Sequence, residues 1–386
     1  MSRIDDLIAE YCPDGVKHQT LGEIGEFIRG NGIQKRDFQD SGFRCIHYGQ
    51  IYTYYGLFAD HTKSFIDPNL AEKRKKAYKG DLVIATTSEN EEDVCKACAW
   101  LGEEPIAISG DAYIFRHHQN PKYISYCFQS ELFQSQKKKY ITGTKVLRVN
   151  GDAMAKIHVP VPPLPVQEEI VRILDSFSSL EAELEAELEA RRKQYTHYRD
   201  ELLKFERVLI ASLGELCKIS VGRKNGTAGE FGEYPYVNAG TSMSGFVNEW
   251  SEEGDCVTTP SRGQGGMGFV AYQASRFWCG PLCYVMRSKH SDVMIKYVYY
   301  YLCSHKADIL GLVHEGGTPA INKSELAGLR ILVPPFEEQQ RIVSILDRFD
   351  KLTNDLSSGL PAEIEARHKQ YEYYRDRLLS FDELAA

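Results

Sequence analysis

Two stretches of this chain are near copies of two others, and that duplication limits the possible architecture more than any other feature. VPPLPVQEEIVRILDSF, from Val161, returns as VPPFEEQQRIVSILDRF from Val333. Ile170, Val171, Ile173, Leu174, Asp175 and Phe177 recur as Ile342, Val343, Ile345, Leu346, Asp347 and Phe349. EARRKQYTHYRDELLKF from Glu189 returns as EARHKQYEYYRDRLLSF from Glu365. Fainter echoes come earlier in each half: TLGEI at Thr20 and SLGEL at Ser212, KGDLVIATTS at Lys79 and EGDCVTTPS at Glu253, YISYCF at Tyr123 and YVYYYL at Tyr297. The chain therefore divides into a globular part (1–160), a helical block (161–207), a second globular part (208–332) and a second helical block (333–386).

Each helical block opens on a proline pair, Pro162-Pro163 or Pro334-Pro335, which keeps the chain extended ahead of a helix. Glu168 and Glu169, and Glu337 and Glu338, are expected in the first turns, favourably placed against the helix dipole. Phe177, Leu180, Leu184, Leu188, Tyr195, Tyr198, Leu202 and Phe205 form one apolar stripe on a helix of about 40 residues, roughly 60 Å long. The second block carries the same stripe with one more step of four: Phe349, Leu352, Leu356, Leu360, Ile364, Tyr371, Tyr374, Leu378 and Phe381. Two such stripes are expected to pack on each other as an antiparallel, coiled-coil-like pair. Gly359 and Pro361 are candidate breakers of the second helix. In LEAELEAELEA, from Leu180, a unit of four residues repeats; adding one roughly keeps the apolar face and lengthens the helix by about 6 Å.

The globular parts mix short strands, such as GDLVIATT and GFVAYQ, with helices. NPKYISYCFQSELFQSQ and SDVMIKYVYYYLCSHKADIL are expected to be helical, entered through Asn-Pro and Ser-Asp caps. The elements do not alternate as a parallel α/β sheet requires, so the expected class is α+β, one small domain present twice. Net charge follows the same division. Residues 1–160 hold 21 basic and 21 acidic side chains and residues 208–332 hold 11 of each, so the net charge of −8 sits in the helical blocks. Acidity overall therefore does not argue against a nucleic-acid partner for the globular parts.

No run of 18 apolar residues is present, and the acidic N-terminal stretch lacks the apolar core of a secretory signal, so a cytoplasmic location is expected. The ten cysteines are then expected as reduced, mostly buried thiols. Cys95 and Cys98, with Cys279 and Cys283, could be imagined as a zinc site, but the pairs lie about 180 residues apart in different globular parts, and no metal is expected. RGQGGMG contains the GxGxxG spacing at Gly263, Gly265 and Gly268, yet a strand-like FVAYQ follows where a dinucleotide fingerprint needs a helix. No GxxxxGK[ST], GxSxG or HExxH appears, and DPNL at Asp67 is not the Asn-Pro-Pro-Tyr loop of an adenine methyltransferase. Basic clusters do occur: Lys73, Arg74, Lys75, Lys76 and Lys79; Lys137, Lys138, Lys139 and Lys145; Arg223, Lys224 and Arg262. With Tyr48, Tyr52, Tyr54, Tyr55 and Tyr140 among them, they suit a surface meeting phosphates and base edges, although each run alone also reads as a solvated face.

With both repeat blocks, LGEI and LGEL, and ATTSENEEDV at Ala85, the chain resembles the specificity subunit of type I restriction-modification systems over essentially its whole length. The resemblance implies a non-catalytic protein in which each globular part is a target recognition domain reading one half of a bipartite double-stranded DNA site. The helices would set the spacer and dock two methyltransferase (modification) subunits. Restriction/translocase subunits complete the implied assembly, and S-adenosylmethionine, ATP and Mg belong to those partners. Candidate DNA-binding residues are Gln34, Lys35, Tyr48, Gln50, Thr86, Thr87, Ser88, Asn90, Thr144 and Lys145 in the first domain. In the second they are Arg223, Asn238, Arg262, Gln264, Thr318 and Asn322. Asn and Gln can read adenine, Arg can read guanine, and Thr or Lys holds phosphate. Two other readings stay open on the residues alone: a helical adaptor that does not read DNA, and a restriction enzyme complete in one chain.

Overall fold

A computed structural model describes residues 3–223, 228–314, 316–355 and 357–384. The chain forms two compact units, one of Met1–Glu183 with Glu365–Ala386, the other of Leu184–Ile364. The class is α+β.

In unit 1 the main sheet runs Gly25–Arg29, Ala112–His117, Leu82–Ala85, Lys96–Trp100, Phe58–Ala59, antiparallel except for the last pair. The central strand LVIA is buried at every residue, which a strand exposed on one face could not be. Leu82 and Ile84 face a core shared with the helix Pro121–Gln129, while Val83 and Ala85 face a core shared with Ile46, Ile106 and Ile108 of a second, four-stranded sheet. Unit 2 repeats the main sheet as Cys217–Val221, Cys283–Ser288, Cys256–Pro260, Ala271–Gln273, with all three pairs antiparallel.

LGEI and LGEL are short helices, Leu21–Ile24 and Leu213–Leu216, each closed by a capping box: Thr20 with Glu23, and Ser212 with Glu215. Their glycines permit close approach. A Cβ on Gly22 would lie 3.1 Å from that of Ala155, and one on Gly214 would lie 3.0 Å from that of Ala327.

The expected helix after Asn120 is present but ends at Gln129. Ser130 breaks it by donating to the Cys127 carbonyl and accepting the N–H of Phe133, so a second helix, Glu131–Lys137, starts there. In unit 2 the helix starts at Ile295, not after Ser291-Asp292: Met294 is its cap, and the Met294 N–H donates to Gln339.

The first spacer helix is continuous over Leu164–Leu202, 39 residues. Because it begins at Leu164, Glu168 and Glu169 fall beyond its first turn, whereas Glu337 and Glu338 do sit in theirs. The second block is not one helix. Phe336–Asn354 and Leu360–Leu378 are separated by a turn in which the Asp355 carboxylate accepts from Ser357 and Ser358. A Cβ on Gly359 would meet the carbonyls of Lys351, Asp355 and Leu352 at 2.6–2.8 Å, so only glycine fits this turn without a shift. The extra step of four is thus spent on a turn.

Within unit 1 the pairing is antiparallel: Phe177 stacks on Tyr374 at 5.4 Å, and further along Glu181 meets His368 at 3.2 Å. Tyr371 is buried and Leu378 packs beside it. Within unit 2, Tyr195 and Tyr198 pack on Phe349, and Leu202 joins the core. Leu184, Leu188, Leu360 and Ile364 are half-buried, whereas Leu180 and Leu352 are exposed, Leu352 in the last turn before the break. Leu356 lies outside the described residues.

Candidate nucleic-acid interface

Each unit has a bracing helix, Pro121–Gln129 in unit 1 and Ile295–Ser304 in unit 2, bolted to the long helices by the same contacts. Gln167, fully buried, accepts the Asn120 N–H at 3.0 Å and donates to the Pro162 carbonyl at 2.7 Å. Gln339 does the same with the Met294 N–H at 2.9 Å and the Pro334 carbonyl at 2.9 Å. Asp175 receives Lys122 at 2.6 Å and the Tyr126 hydroxyl at 2.8 Å; Asp347 receives Lys296 at 2.7 Å and the Tyr300 hydroxyl at 2.5 Å. The far ends are held by the other repeated motif. Asp376 accepts the Glu131 N–H, and Asp200 accepts the Ser304 hydroxyl. Burial pushes the hydroxyl pKa of Tyr126 and Tyr300 well up, so both remain donors to these carboxylates.

In unit 1 several candidates gather at one sheet end. The Tyr52 hydroxyl donates to the carbonyls of Ala85 and Thr87, tying the helix Tyr48–Thr53 to the segment Thr86–Ser88. Thr87–Ser88 pairs with Leu147–Arg148, which brings the exposed loop of Thr144 and Lys145 to the same edge. Gln34 and Lys35 are exposed on a neighbouring loop, where Lys35 and, more strongly, burial hold the His47 imidazole below its usual range. Tyr48 is half-buried with its N–H on Ser109.

Other candidates serve the fold. Thr86 is 5% exposed with its hydroxyl on the Asp111 carbonyl, which removes it from a contact surface. Gln50 is occupied by the His47 N–H and the Ser64 hydroxyl. Asn90 closes a turn with Asp93 through both its amide atoms, and the Ser88 hydroxyl accepts the Asn90 N–H.

In unit 2, Arg262 bridges to Ala320, Gly263 N–H donates to the Pro319 carbonyl, and Ile321 N–H to that of Ser261. This places Arg262, Gln264, Thr318 and Asn322, all exposed, on adjoining loops. The glycine-rich stretch is a loop leading to the strand Ala271–Gln273 rather than a helix, and a Cβ on Gly266 would lie 2.0 Å from the Ala239 carbonyl oxygen. Asn238, next to Ala239, is spent on the Leu282 N–H, and exposed Arg223 is anchored by its N–H on the Cys279 carbonyl. Lys224 lies outside the described residues.

The cysteines sit in the cores. Burial pushes the Cys95 and Cys98 thiols up to about 12, and Cys279 is raised by its contact with Cys283 and by burial. Among the described residues, no group of three or more metal-ligating side chains converges, and no helix is long and apolar enough to cross a membrane.

The family model for the type I restriction modification DNA specificity domain matches twice, over residues 13–190 and 208–366. The chain belongs to that family. Each match takes in one globular part and helical residues beyond it. The chain is 35% identical over 273 residues to the type I restriction enzyme EcoR124I/EcoR124II specificity subunit of Escherichia coli, covering 60% of this chain and 65% of that one, just under two thirds. It is 33% identical over 244 residues to a putative type I specificity subunit of Mycoplasma pneumoniae, covering 59% of this chain and 94% of the relative. The fold resembles the crystal structure of a type I restriction-modification S subunit from M. genitalium, with a TM-score of 0.62 at 14% identity over 94% of this chain and 96% of that one.

The bracing contacts were not foreseen from sequence, although their signal was present. Gln167 and Asp175 recur unchanged as Gln339 and Asp347 at equivalent positions of the two repeats, and a polar residue buried there needs a partner.

Proposed function

We propose that the chain is the DNA-reading specificity subunit of a type I restriction-modification complex. Each unit reads one half of a bipartite double-stranded site through the exposed loops around Lys35, Ser88 and Lys145, or around Arg223, Arg262 and Thr318. The observation that carries this is the double occurrence of the family domain, each copy fastened by the same Gln, Asp and Tyr contacts. Two like modules on a stiff helix read a split target, because module spacing sets half-site spacing. The repeat also offers two equivalent faces, one for each of two modification subunits. Methyl transfer to adenine from S-adenosylmethionine, and ATP- and Mg-dependent translocation and cleavage, belong to the partner subunits. The chain works in the cytoplasm.

Mapping methylated adenines in cells that express the chain with its modification partner tests this: the expected result is one split motif, and an unsplit motif or none overturns it. Inserting one more Glu-Ala-Glu-Leu after Leu184 is expected to widen the gap by about 6 Å, under two base pairs at roughly 3.4 Å each. Both half-sites should stay the same; an altered half-site would remove the spacer role from this helix.

A further inference from the structure

Unit 1 carries a cationic cleft that none of the candidate reading residues lines. Arg74, Lys75, Lys76, Tyr78 and Arg116, with Ile28, line an open space of about 230 Å³. Among the described residues no carboxylate lies within ion-pair distance of Arg74, Lys75 or Lys76; Arg116 alone is paired, with buried Asp81 at 3.0 Å. Exposed Glu26 stands opposite Arg116 in the sheet. Cations left without counter-charges on a folded surface repel one another, so their clustering has a cost that an anionic ligand would remove.

The cleft is also built rather than incidental. Asn31 braces the segment from both sides, donating to the Lys73 carbonyl at 3.1 Å and accepting the Lys75 N–H at 2.8 Å. Gly32 has φ +57, and a Cβ there would lie 2.9 Å from the Arg74 guanidinium, so the chain passes directly against that group and holds it. The Arg74 Nε is buried with no hydrogen-bond partner. Lys76 lies over the Phe43 ring at 5.3 Å and Arg116 over the exposed Tyr78 ring at 5.1 Å, so both cations are held against aromatic faces.

Its place on the sheet says what anion it meets. Phe115 pairs with Leu82 at one end of these strands, and Thr86–Ser88 follow Ala85 at the other, some five residues and about 17 Å from Asp81. Among the described residues of unit 2 no equivalent cluster is found. The corresponding Arg287 is half-buried and donates to the carbonyls of Gly254 and Glu253 and to the Glu252 carboxylate at 3.3 Å, with no neighbouring basic run beside it among the described residues. The lysine run is replaced there by WSEEGD.

We infer that this cleft is a phosphodiester clamp gripping the DNA backbone beside the half-site read by unit 1, and that unit 2 reads its half-site without one. The inference rests on the proposed function. It is tested on the full chain assembled with its modification subunits, by fluorescence anisotropy against labelled 45-base-pair duplexes across a KCl series. One duplex carries the mapped bipartite site and the other a scrambled sequence. R74Q/K75Q/K76Q is expected to reduce the slope of log K against log [KCl] by about 2 to 3, and K75Q/K76Q, which leaves the packed arginine in place, by about 2. Both duplexes should lose affinity by the same factor, with the methylated motif unchanged, and the matched control K193Q/K369Q on the spacer helices should keep the original slope. An unchanged slope in the folded double variant overturns the clamp, as does a loss confined to the mapped duplex. So does an unchanged slope with weakened capture of the modification subunits, which would make the cleft a protein contact. Absence of any preference for the mapped duplex by the unaltered complex would instead sink the specificity reading, and the slopes would still decide the clamp.

Discussion

The two units agree where they meet the spacer helices and differ where they face outward. Gln167 and Gln339, Asp175 and Asp347, Tyr126 and Tyr300 make the same contacts. They also differ inside the sheets: opposite Gly25 in one stands the buried His117, whereas opposite Cys217 in the other stands Ser288. Outward loops tolerate change because they bear little of the packing; a buried amide with three partners tolerates almost none. The chain therefore has one mounting used twice and two different faces.

That contrast can be broken in graded ways. Gln167→Ala removes hydrogen bonds from Asn120, Gln119 and Pro162, and Gln339→Ala removes those of Met294, Asp292 and Pro334. Each should cost its own unit about 3 kcal/mol. Hydrogen exchange should show lost protection in residues 120–129 for the first variant and 294–304 for the second; equal losses in both units from either change would contradict the separate mountings. A smaller, one-sided effect is expected from acid. Burial holds the His117 imidazole down to about 4. The unfolded chain takes up a proton near pH 6.5 that the folded one refuses until about pH 4, so unit 1 keeps full stability above about 6.5. As the pH falls to 4 it loses up to about 3 kcal/mol, with His47 acting in the same direction. Unit 2, with Ser288 there, should be flatter over that window. Exchange measured from pH 7 to 4 would show this, and His117→Gln should reduce the difference. The smallest change sharpens the likeness: Thr20→Ala and Ser212→Ala should each remove about 1 kcal/mol by opening equivalent caps, read as matched shifts in urea midpoint.

The repeat, the α+β class and the spacer stripes were legible because each is a pattern of many residues. Misreadings came where one side chain outvoted a pattern. Ser130 bonds back to Cys127 and divides a helix whose apolar content runs on. Asp355, with Ser357 and Ser358, turns a helical stripe into two helices, an outcome foreshadowed only by Gly359 and Pro361. Candidate site residues were least legible. Thr, Asn and Gln do the same hydrogen-bonding inside a fold as on a surface, and Thr86, Gln50, Asn90 and Asn238 prove to be engaged internally. Arg74 to Lys76 read in sequence both as a phosphate-meeting surface and as a solvated face, because Asn31 and Gly32, which frame them, lie more than 40 residues away in sequence.

The strand-like pairing of Val16 with Glu383, and the burial of Tyr371 and Leu379 in the first core, have a temporal meaning. Unit 2 is one contiguous segment, Leu184–Ile364, and all of it is synthesised before Tyr371 and Leu379, two buried core side chains of unit 1, are added. The half that is begun first is completed last.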